Sequence, residues 1–190
     1  MKVYLAGPFF NEKQINIIDK IEKAFDRHEI NYFSPRKGGG IITDLPVEER
    51  MKRSKEIYQS NIDNMIDSDI LFAVVDGRDT GTVYEMGYFK SLDDHNVSKG
   101  GYLKDLFQSR RFSVTYTDEN FGLNIMLKES VDAHVVGVGD LIKFAGLISS
   151  YWEKTGDLPP AIKDGIDWQD HIGRRQKILE QFQNFNPDVE

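Results

Sequence analysis

The stretch DSDILFAVVDGRDTGTVYEMGYFKS, residues 67–91, determines the fold that we expect for this chain. It begins with a β-branched, apolar run at 70–75, which predicts a buried strand. An Asp-Gly-Arg-Asp turn follows at 76–79, and a helix that carries Glu85 is predicted at 82–92. A buried strand that leads through a tight turn into a helix is one unit of an α/β sheet.

The rest of the chain repeats this alternation of short apolar strands and helices with a 3.6-residue period. We predict further strands at 2–6, 30–34, 111–117 and 133–137, and further helices at 11–28, 47–66, 123–130 and 140–154. A Gly- and Pro-rich loop is predicted at 35–46. This order predicts an α/β fold with a doubly wound, mostly parallel, five-stranded sheet and helices on both faces, in the Rossmann or flavodoxin-like class.

Two segments lie outside the alternating pattern. Residues 93–110 lengthen the link between the third predicted helix and the fourth predicted strand. Residues 157–190 follow the last element and contain a polar helix candidate at 168–182. We therefore expect one α/β domain at 1–156, with an insertion at about 93–110. A C-terminal helical extension at 157–190 would pack on this domain or on a partner subunit.

Composition excludes several classes of function. The 190 residues carry a formal net charge of −7 without a basic cluster, which argues against nucleic acid as a partner. The chain has no cysteine, so disulfides and thiolate chemistry are excluded, and its four histidines lack metal-ligand spacing. No apolar stretch approaches the roughly 20 residues of a membrane span, and no secretory signal is visible. We expect a cytoplasmic protein that has no metal and no membrane partner.

Acidic side chains follow the strand at 70–75, where ligands of open α/β sheets bind. Gly77 and Gly81 allow tight turns and close approach of a ligand. Asp79 and Glu85 form a carboxylate pair, of which one could attack an anomeric carbon while the other protonates a leaving base. The pattern therefore predicts glycosyl transfer. Two other interpretations stay open, because paired acids also bind magnesium and because Asp and Gly also serve as turn and helix-cap residues.

Three segments, in this order, resemble the nucleoside 2-deoxyribosyltransferase family. They are VYLAGPFFNEKQ at 3–14, NIDNMIDSDILFAVVDGRDTGTVYEMGY at 61–88 and YTDENFGLNIML at 116–127. The resemblance covers roughly residues 1–138, and its central segment is the most specific. It implies transfer of 2-deoxyribose between purine or pyrimidine bases through a covalent glycosyl-glutamate intermediate, with retention of configuration and without a cofactor. Deoxynucleosides and free nucleobases are the implied partners.

The same resemblance implies individual roles. Glu85 matches the nucleophile that attacks C1′ of the deoxyribose. Tyr4 matches a tyrosine that orients this carboxylate, and Asp79 matches an aspartate that contacts and protonates the base. In some members the position of Asn61 is an aspartate, which makes the proton path in this chain less defined. The substrate-binding residues implied are Gly7, Phe9, Asn61, Asp76, Gly81, Asn124 and Met126.

Family members are oligomers with shared active sites. Asn124 matches an asparagine that reaches into the neighbouring subunit's site and holds the sugar hydroxyls. We therefore expect a dimer-based homo-oligomer.

Two rival functions stay open. An N-glycosidase for nucleosides or nucleotides would use the same glutamate with water as the acceptor. A non-catalytic nucleotide-binding module would use the acidic loop to hold a ligand. A phosphotransfer receiver domain fits less well, because the paired acids expected after its first strand are replaced here by AGPFF at 6–10.

Overall fold

The computed structural model describes residues 1–39, 45–95, 111–118 and 123–159. Strands and helices alternate along these residues. In chain order they are β1 Lys2–Ala6, α1 Glu12–Arg27, β2 Asn31–Phe33, α2 Pro35–Gly38, α3 Val47–Ile66, β3 Ile70–Val74, α4 Thr80–Asp94, β4 Phe112–Thr117, α5 Ile125–Ser130, β5 Ala133–Val136 and α6 Gly137–Thr155.

The five strands form one sheet with the order β2-β1-β3-β4-β5, and every pair is parallel. The predicted α/β class and the parallel sheet are confirmed. The order reverses between β1 and β3, where the chain has moved outward to β2 before it crosses back. Beyond the carboxyl ends of β1 and β3, this reversal opens the crevice in which doubly wound proteins bind ligands.

Alternate residues of each strand pack on opposite faces of the sheet. Val3 and Phe72 lie on the face covered by α1 and α6, which carry Ile21 and Phe144 into one apolar core. The opposite face belongs to a second core, in which side chains of β1 and β3 meet those of α3 and α4; its members include Tyr4, Ala6, Leu71, Ile62, Met65, Met86 and Phe89. Tyr4 is thereby directed toward α3 and α4.

Several predicted boundaries are wrong by a few residues. The loop predicted at 35–46 begins with one helical turn, α2, because Pro35 at its first position has a backbone angle already suited to a helix. Helix α4 begins at Thr80 rather than at 82, because Asp79 caps it. Helix α6 begins at Gly137 rather than at 140, since a φ of 75° there turns the chain directly out of β5.

Other predictions fall largely outside the described residues. The insertion predicted at 93–110 begins with two residues that belong to the end of α4, and residues 96–110 are not described. The helix candidate at 168–182 and most of the predicted extension also lie outside the described ranges. Among the helices that the structure does describe, none has the length and apolar character needed to cross a membrane.

Arg111 links the end of α3 to the sheet. Its side chain is 3% exposed, and its guanidinium donates to the carbonyls of Ser68 at 2.5 Å and Ile66 at 2.8 Å. It also lies over the ring of Phe89, 5.3 Å from the centroid. Its backbone N–H donates to Asp93 at the end of α4, so one residue holds α3, α4 and the start of β4 together.

Candidate active site

A buried tyrosine and a glutamate meet between β1 and α4. The Tyr4 side chain is 0% exposed, and its hydroxyl donates a 2.6 Å hydrogen bond to Oε1 of Glu85. Glu85 is the sixth residue of α4, on the side that faces the sheet, and it is partly exposed. The pair therefore lies beside β1 and β3, at the reversal point of the strand order. The structure thus brings Tyr4 and Glu85 together.

Burial sets the protonation of this pair. It raises the pKa of Glu85 to about 7, with a further increase from the negative charge of Asp79 and an opposing decrease from the Tyr4 hydrogen bond. Burial also raises the pKa of Tyr4, and the neighbouring Glu85 carboxylate raises it further, so the phenol stays a hydrogen-bond donor. Glu85 is thus a carboxyl group that changes its charge near neutral pH, as groups at reactive sites often do.

Asp79 caps α4 as well as facing the site. Its Oδ2 accepts from the backbone N–H of Thr82 at 2.7 Å and from the Thr82 hydroxyl at 2.9 Å. Gly81 makes this possible, because a Cβ there would lie 3.0 Å from the same oxygen. The helix-cap interpretation of Asp79 is therefore observed, and the two bonds fix the carboxylate in one orientation. The structure places Gly81 against Asp79.

A cavity of about 390 Å³ opens next to Asp79, between the start of α4 and α5. Its walls are four apolar side chains and four polar ones, namely Val75, Val83, Leu123, Leu127, Arg78, Asp79, Thr82 and Asn124. Tyr4 and Glu85 do not line it. The candidate site therefore has two parts, the Tyr4–Glu85 pair and the cavity, and Asp79 belongs to both because it lines one and perturbs the pKa of Glu85 in the other.

Asn124 and Met126 lie at the edge of this cavity. Asn124 is exposed and caps α5, where its Oδ1 accepts from the backbone N–H of Met126 at 2.9 Å. Met126 is 76% exposed and points away from its own core, as does Ile125 at 69%. Within one chain, Asn124 therefore contributes to the cavity beside Asp79, whereas Met126 contributes to the surface.

The remaining predicted residues are more scattered. Phe9 is partly exposed and stacks on Phe10, with ring centroids 5.4 Å apart; Phe10 is 67% exposed. Asn61 is partly exposed in the fourth turn of α3. Gly7 lies where a Cβ would be 2.9 Å from both Ile18 and Val74, so close packing alone requires glycine there.

Asp76, predicted to bind substrate, is 3% exposed and hydrogen-bonded within the protein. Its Oδ1 accepts from the Thr117 hydroxyl at 2.5 Å, and its Oδ2 accepts from the backbone N–H of Asp118 at 2.8 Å. Both donors belong to the carboxyl end of β4. The carboxylate therefore connects the turn after β3 to the chain that leaves β4.

The sequence interpretation missed several residues of the site. Thr82 and Thr117 anchor the two aspartates, and only the first had a sequence signal, a threonine three residues after a helix cap. Gln14 accepts from the Phe10 N–H at 2.9 Å and lies against Gly77, which has a φ of 81° and no Cβ. Arg78 lines the cavity and has a φ of 51°, which an arginine rarely adopts.

Tyr4 and Asp79 shift the pKa of Glu85 in opposite directions, so substitutions of these two residues should have opposite effects on that pKa. Tyr4→Phe removes a hydrogen bond that stabilises the carboxylate, so the pKa of Glu85 is expected to rise above about 7. Asp79→Asn removes a neighbouring negative charge, so the same pKa is expected to fall. Titration of the Glu85 carboxyl carbon by NMR would measure both. Tyr84→Phe is the matched control, since the Tyr84 hydroxyl contacts Tyr58 instead. Shifts of the same sign in the two variants would contradict the argument.

Comparison with known proteins gives three findings. A family model described as nucleoside 2-deoxyribosyltransferase matches residues 3–126. An uncharacterized protein of Ureaplasma parvum serovar 3 is 32% identical over 103 residues, which cover 50% of this chain and 63% of that protein, less than two thirds of its length. The 2-deoxyribosyltransferase from the psychrotolerant bacterium Bacillus psychrosaccharolyticus is 23% identical, with a TM-score of 0.60 over 84% of this chain and 98% of that chain. At that identity the likeness shows the fold alone.

Proposed function

The chain belongs to the nucleoside 2-deoxyribosyltransferase family, and we propose that it transfers 2-deoxyribose from one purine or pyrimidine base to another, as a step of nucleoside salvage. The observation that carries this proposal is the 2.6 Å hydrogen bond between the buried Tyr4 and Glu85 at the ligand edge of the sheet. A carboxylate held in this way, with a pKa of about 7, suits nucleophilic attack at an anomeric carbon.

The reaction proceeds in two displacements. Because Tyr4 donates to Oε1, the second oxygen of Glu85 is oriented for attack on C1′ of the deoxyribose. The new C1′–O bond forms as the C1′–N bond breaks, and the electron pair leaves with the base nitrogen, which takes up a proton. A nitrogen of the second base then attacks C1′ and releases the Glu85 carboxylate. Two inversions at C1′ give net retention of configuration.

Asp79 is the general acid and base that exchanges this proton with the base. It lies close enough to Glu85 to raise its pKa, and the two hydrogen bonds from Thr82 hold its carboxyl group in place. In the first step it delivers a proton to the departing base, and in the second it accepts one from the incoming base. The cavity that Asp79 and Asn124 line gives room for the substrate beside the nucleophile.

A second copy of the chain completes the site. Apolar side chains remain exposed around the cavity, on α4 and α5: Val83 is 43%, Tyr84 53%, Ile125 69% and Met126 76% exposed. Burial of such a surface stabilises association. A dimer formed there brings Asn124 of one subunit to the sugar that is bound beside Glu85 of the other.

Subunit mixing tests this arrangement. Glu85→Ala and Asn124→Ala homo-oligomers are each expected to be nearly inactive, because each lacks one part of every site. If Asn124 acts in the neighbouring site, mixed oligomers contain one site with both residues. About a quarter of the wild-type rate should then return, given random exchange of subunits in pairs. The measurement is the exchange rate after dissociation and reassociation of an equimolar mixture. A rate no higher than the mean of the two variants would show that Asn124 acts within its own chain.

The proposed function is tested by a transfer assay with the full chain. The protein is incubated with thymidine or deoxyinosine as donor and with free adenine or cytosine as acceptor, and the products are resolved by chromatography. A new deoxynucleoside establishes transfer. Release of free deoxyribose without a new nucleoside, unaffected by added base, would instead indicate the N-glycosidase. If no donor gives a product, deoxynucleoside monophosphates included, the non-catalytic nucleotide-binding module is the interpretation that remains.

A further inference from the structure

Asp76 joins two of the loops that lie at the carboxyl ends of the strands. The β3–α4 turn contains Asp76, and Asp79 follows three residues later. The chain that leaves β4 contains Thr117 and Asp118, both of which donate to the Asp76 carboxylate. Asp76 therefore connects the turn that carries Asp79 to the carboxyl end of β4.

The turn between Asp76 and Asp79 is short and conformationally restricted. Gly77 has a φ of 81° and Arg78 a φ of 51°, and the N–H of Arg78 donates to the carbonyl of Val75 at 3.3 Å. Arg78 holds a left-handed conformation that is costly for a residue other than glycine, so the surrounding contacts must fix this turn. A displacement of Asp76 is therefore passed on to Asp79, and through its cap to the start of α4.

The geometry points to Asp76 as a positioning residue of the transfer reaction rather than as a ligand of the substrate: its carboxylate, anchored on the carboxyl end of β4, fixes the position of Asp79 at the cavity. It is 3% exposed, and its two oxygens accept from Thr117 and Asp118. Because both oxygens accept hydrogen bonds from β4 and the residue after it, the carboxylate is directed into the protein and not toward a substrate. The kinetic part of this inference rests on the proposed function, and the structural part does not.

Three variants separate positioning from substrate contact. Asp76→Ala removes both acceptors and is expected to lower kcat by about 10²-fold, the cost of a misplacement of about 1 Å at a reacting group. Asp76→Asn keeps an oxygen for the Asp118 N–H and offers its amide to the Thr117 hydroxyl, so it is expected to stay within about tenfold of wild type. Thr117→Val should lower kcat about tenfold, because one of the two anchoring bonds is lost.

Thr115→Val is the matched control. Thr115 is also fully buried on β4 and projects to the same face, but its hydroxyl contacts His134 instead of Asp76. Its kcat per folded molecule should equal that of wild type. Rates are compared well below the melting temperature of each variant, so that lost stability does not count as lost catalysis.

Amide hydrogen exchange gives a readout that needs no activity. The Thr82 N–H donates to Asp79, so its exchange reports whether the Asp79 carboxylate is held in place. In Thr117→Val we expect exchange at Thr82 to accelerate roughly tenfold, since the lost bond is to a charged group. Unchanged exchange at Thr82 would overturn the inference, whether or not the wild-type protein transfers deoxyribose. So would wild-type kcat in Thr117→Val, or a loss in Asp76→Asn equal to that in Asp76→Ala.

If the wild-type chain shows no transfer, the proposed function fails while the exchange experiment still decides the role of Asp76. If transfer is observed and exchange at Thr82 does not change, the positioning role alone fails. The two results are therefore separable. Thr117→Val changes neither Asp76 nor Asp79. The inference can therefore still be tested with this variant if Asp76→Ala does not fold.

Discussion

Replacement of Glu85 by glutamine is expected to lower the rate of base exchange by at least about 10³-fold, because the amide cannot form the glycosyl bond at C1′. Glutamine has nearly the same shape and its carbonyl oxygen still accepts from Tyr4, so the fold should be retained. Hydrolysis of the donor should fall with exchange, since both reactions need the same intermediate. The measurement is the appearance of the new deoxynucleoside under single-turnover conditions.

The matched control is Glu153→Gln, which alters an exposed glutamate on α6, on the opposite face of the sheet. Its exchange rate should equal that of wild type. An exchange rate for Glu85→Gln within tenfold of wild type would mean that another group attacks C1′, and Asp79 is then the next candidate. In the wild type, the rate is expected to rise as the pH increases through about 7, because only the ionised Glu85 is a nucleophile.

Replacement of Arg111 by methionine is expected to lower the free energy of unfolding by about 3 kcal/mol. Methionine keeps an apolar stem but donates no hydrogen bonds, which leaves the carbonyls of Ile66 and Ser68 without their donor. Asp93 keeps its bond to the backbone N–H but loses a nearby positive charge. Denaturant unfolding of both proteins would give the difference.

Arg53→Met is the control for this substitution. Arg53 is exposed on α3, where its guanidinium forms a surface ion pair with Glu56 at 3.2 Å. Its loss should change the free energy of unfolding by no more than about 0.5 kcal/mol. If the two variants lose the same stability, the buried guanidinium does not hold α3 and α4 as argued.

The fold followed from local patterns. Fully buried strands such as β3 give continuous apolar runs, and helices such as α1 give a 3.6-residue period, because each side chain's environment repeats with the geometry of its element. Helix ends were less predictable. The cap formed by Asp79 was one of the interpretations left open and the cap formed by Asn124 was not predicted, because a cap is defined by a hydrogen bond whose geometry the sequence does not contain.

Residues of the candidate site could be proposed from the sequence, but the contacts that each of them makes could not. The spacing of Asp79 and Glu85 indicated carboxylates at the end of a strand, and the resemblance added Tyr4 from another part of the chain. Asp76 belongs to the same acidic turn, yet its carboxylate faces Thr117 instead of the cavity. The sequence does not distinguish Asp76 from Asp79, because both are aspartates of the same turn. The backbone angles of the two residues between them decide the direction of each side chain.

The sequence by itself determined the alternation of strands and helices, hence the parallel sheet and the edge at which sheets of this kind bind ligands. Only the tertiary structure decided that Tyr4 and Glu85, 81 residues apart, share a hydrogen bond. That contact depends on the register that sets Tyr4 opposite Leu71 and on the face to which α4 packs. The pKa of Glu85 was decided there too, because burial and charge separation are properties of positions in space, which neighbours in sequence do not fix.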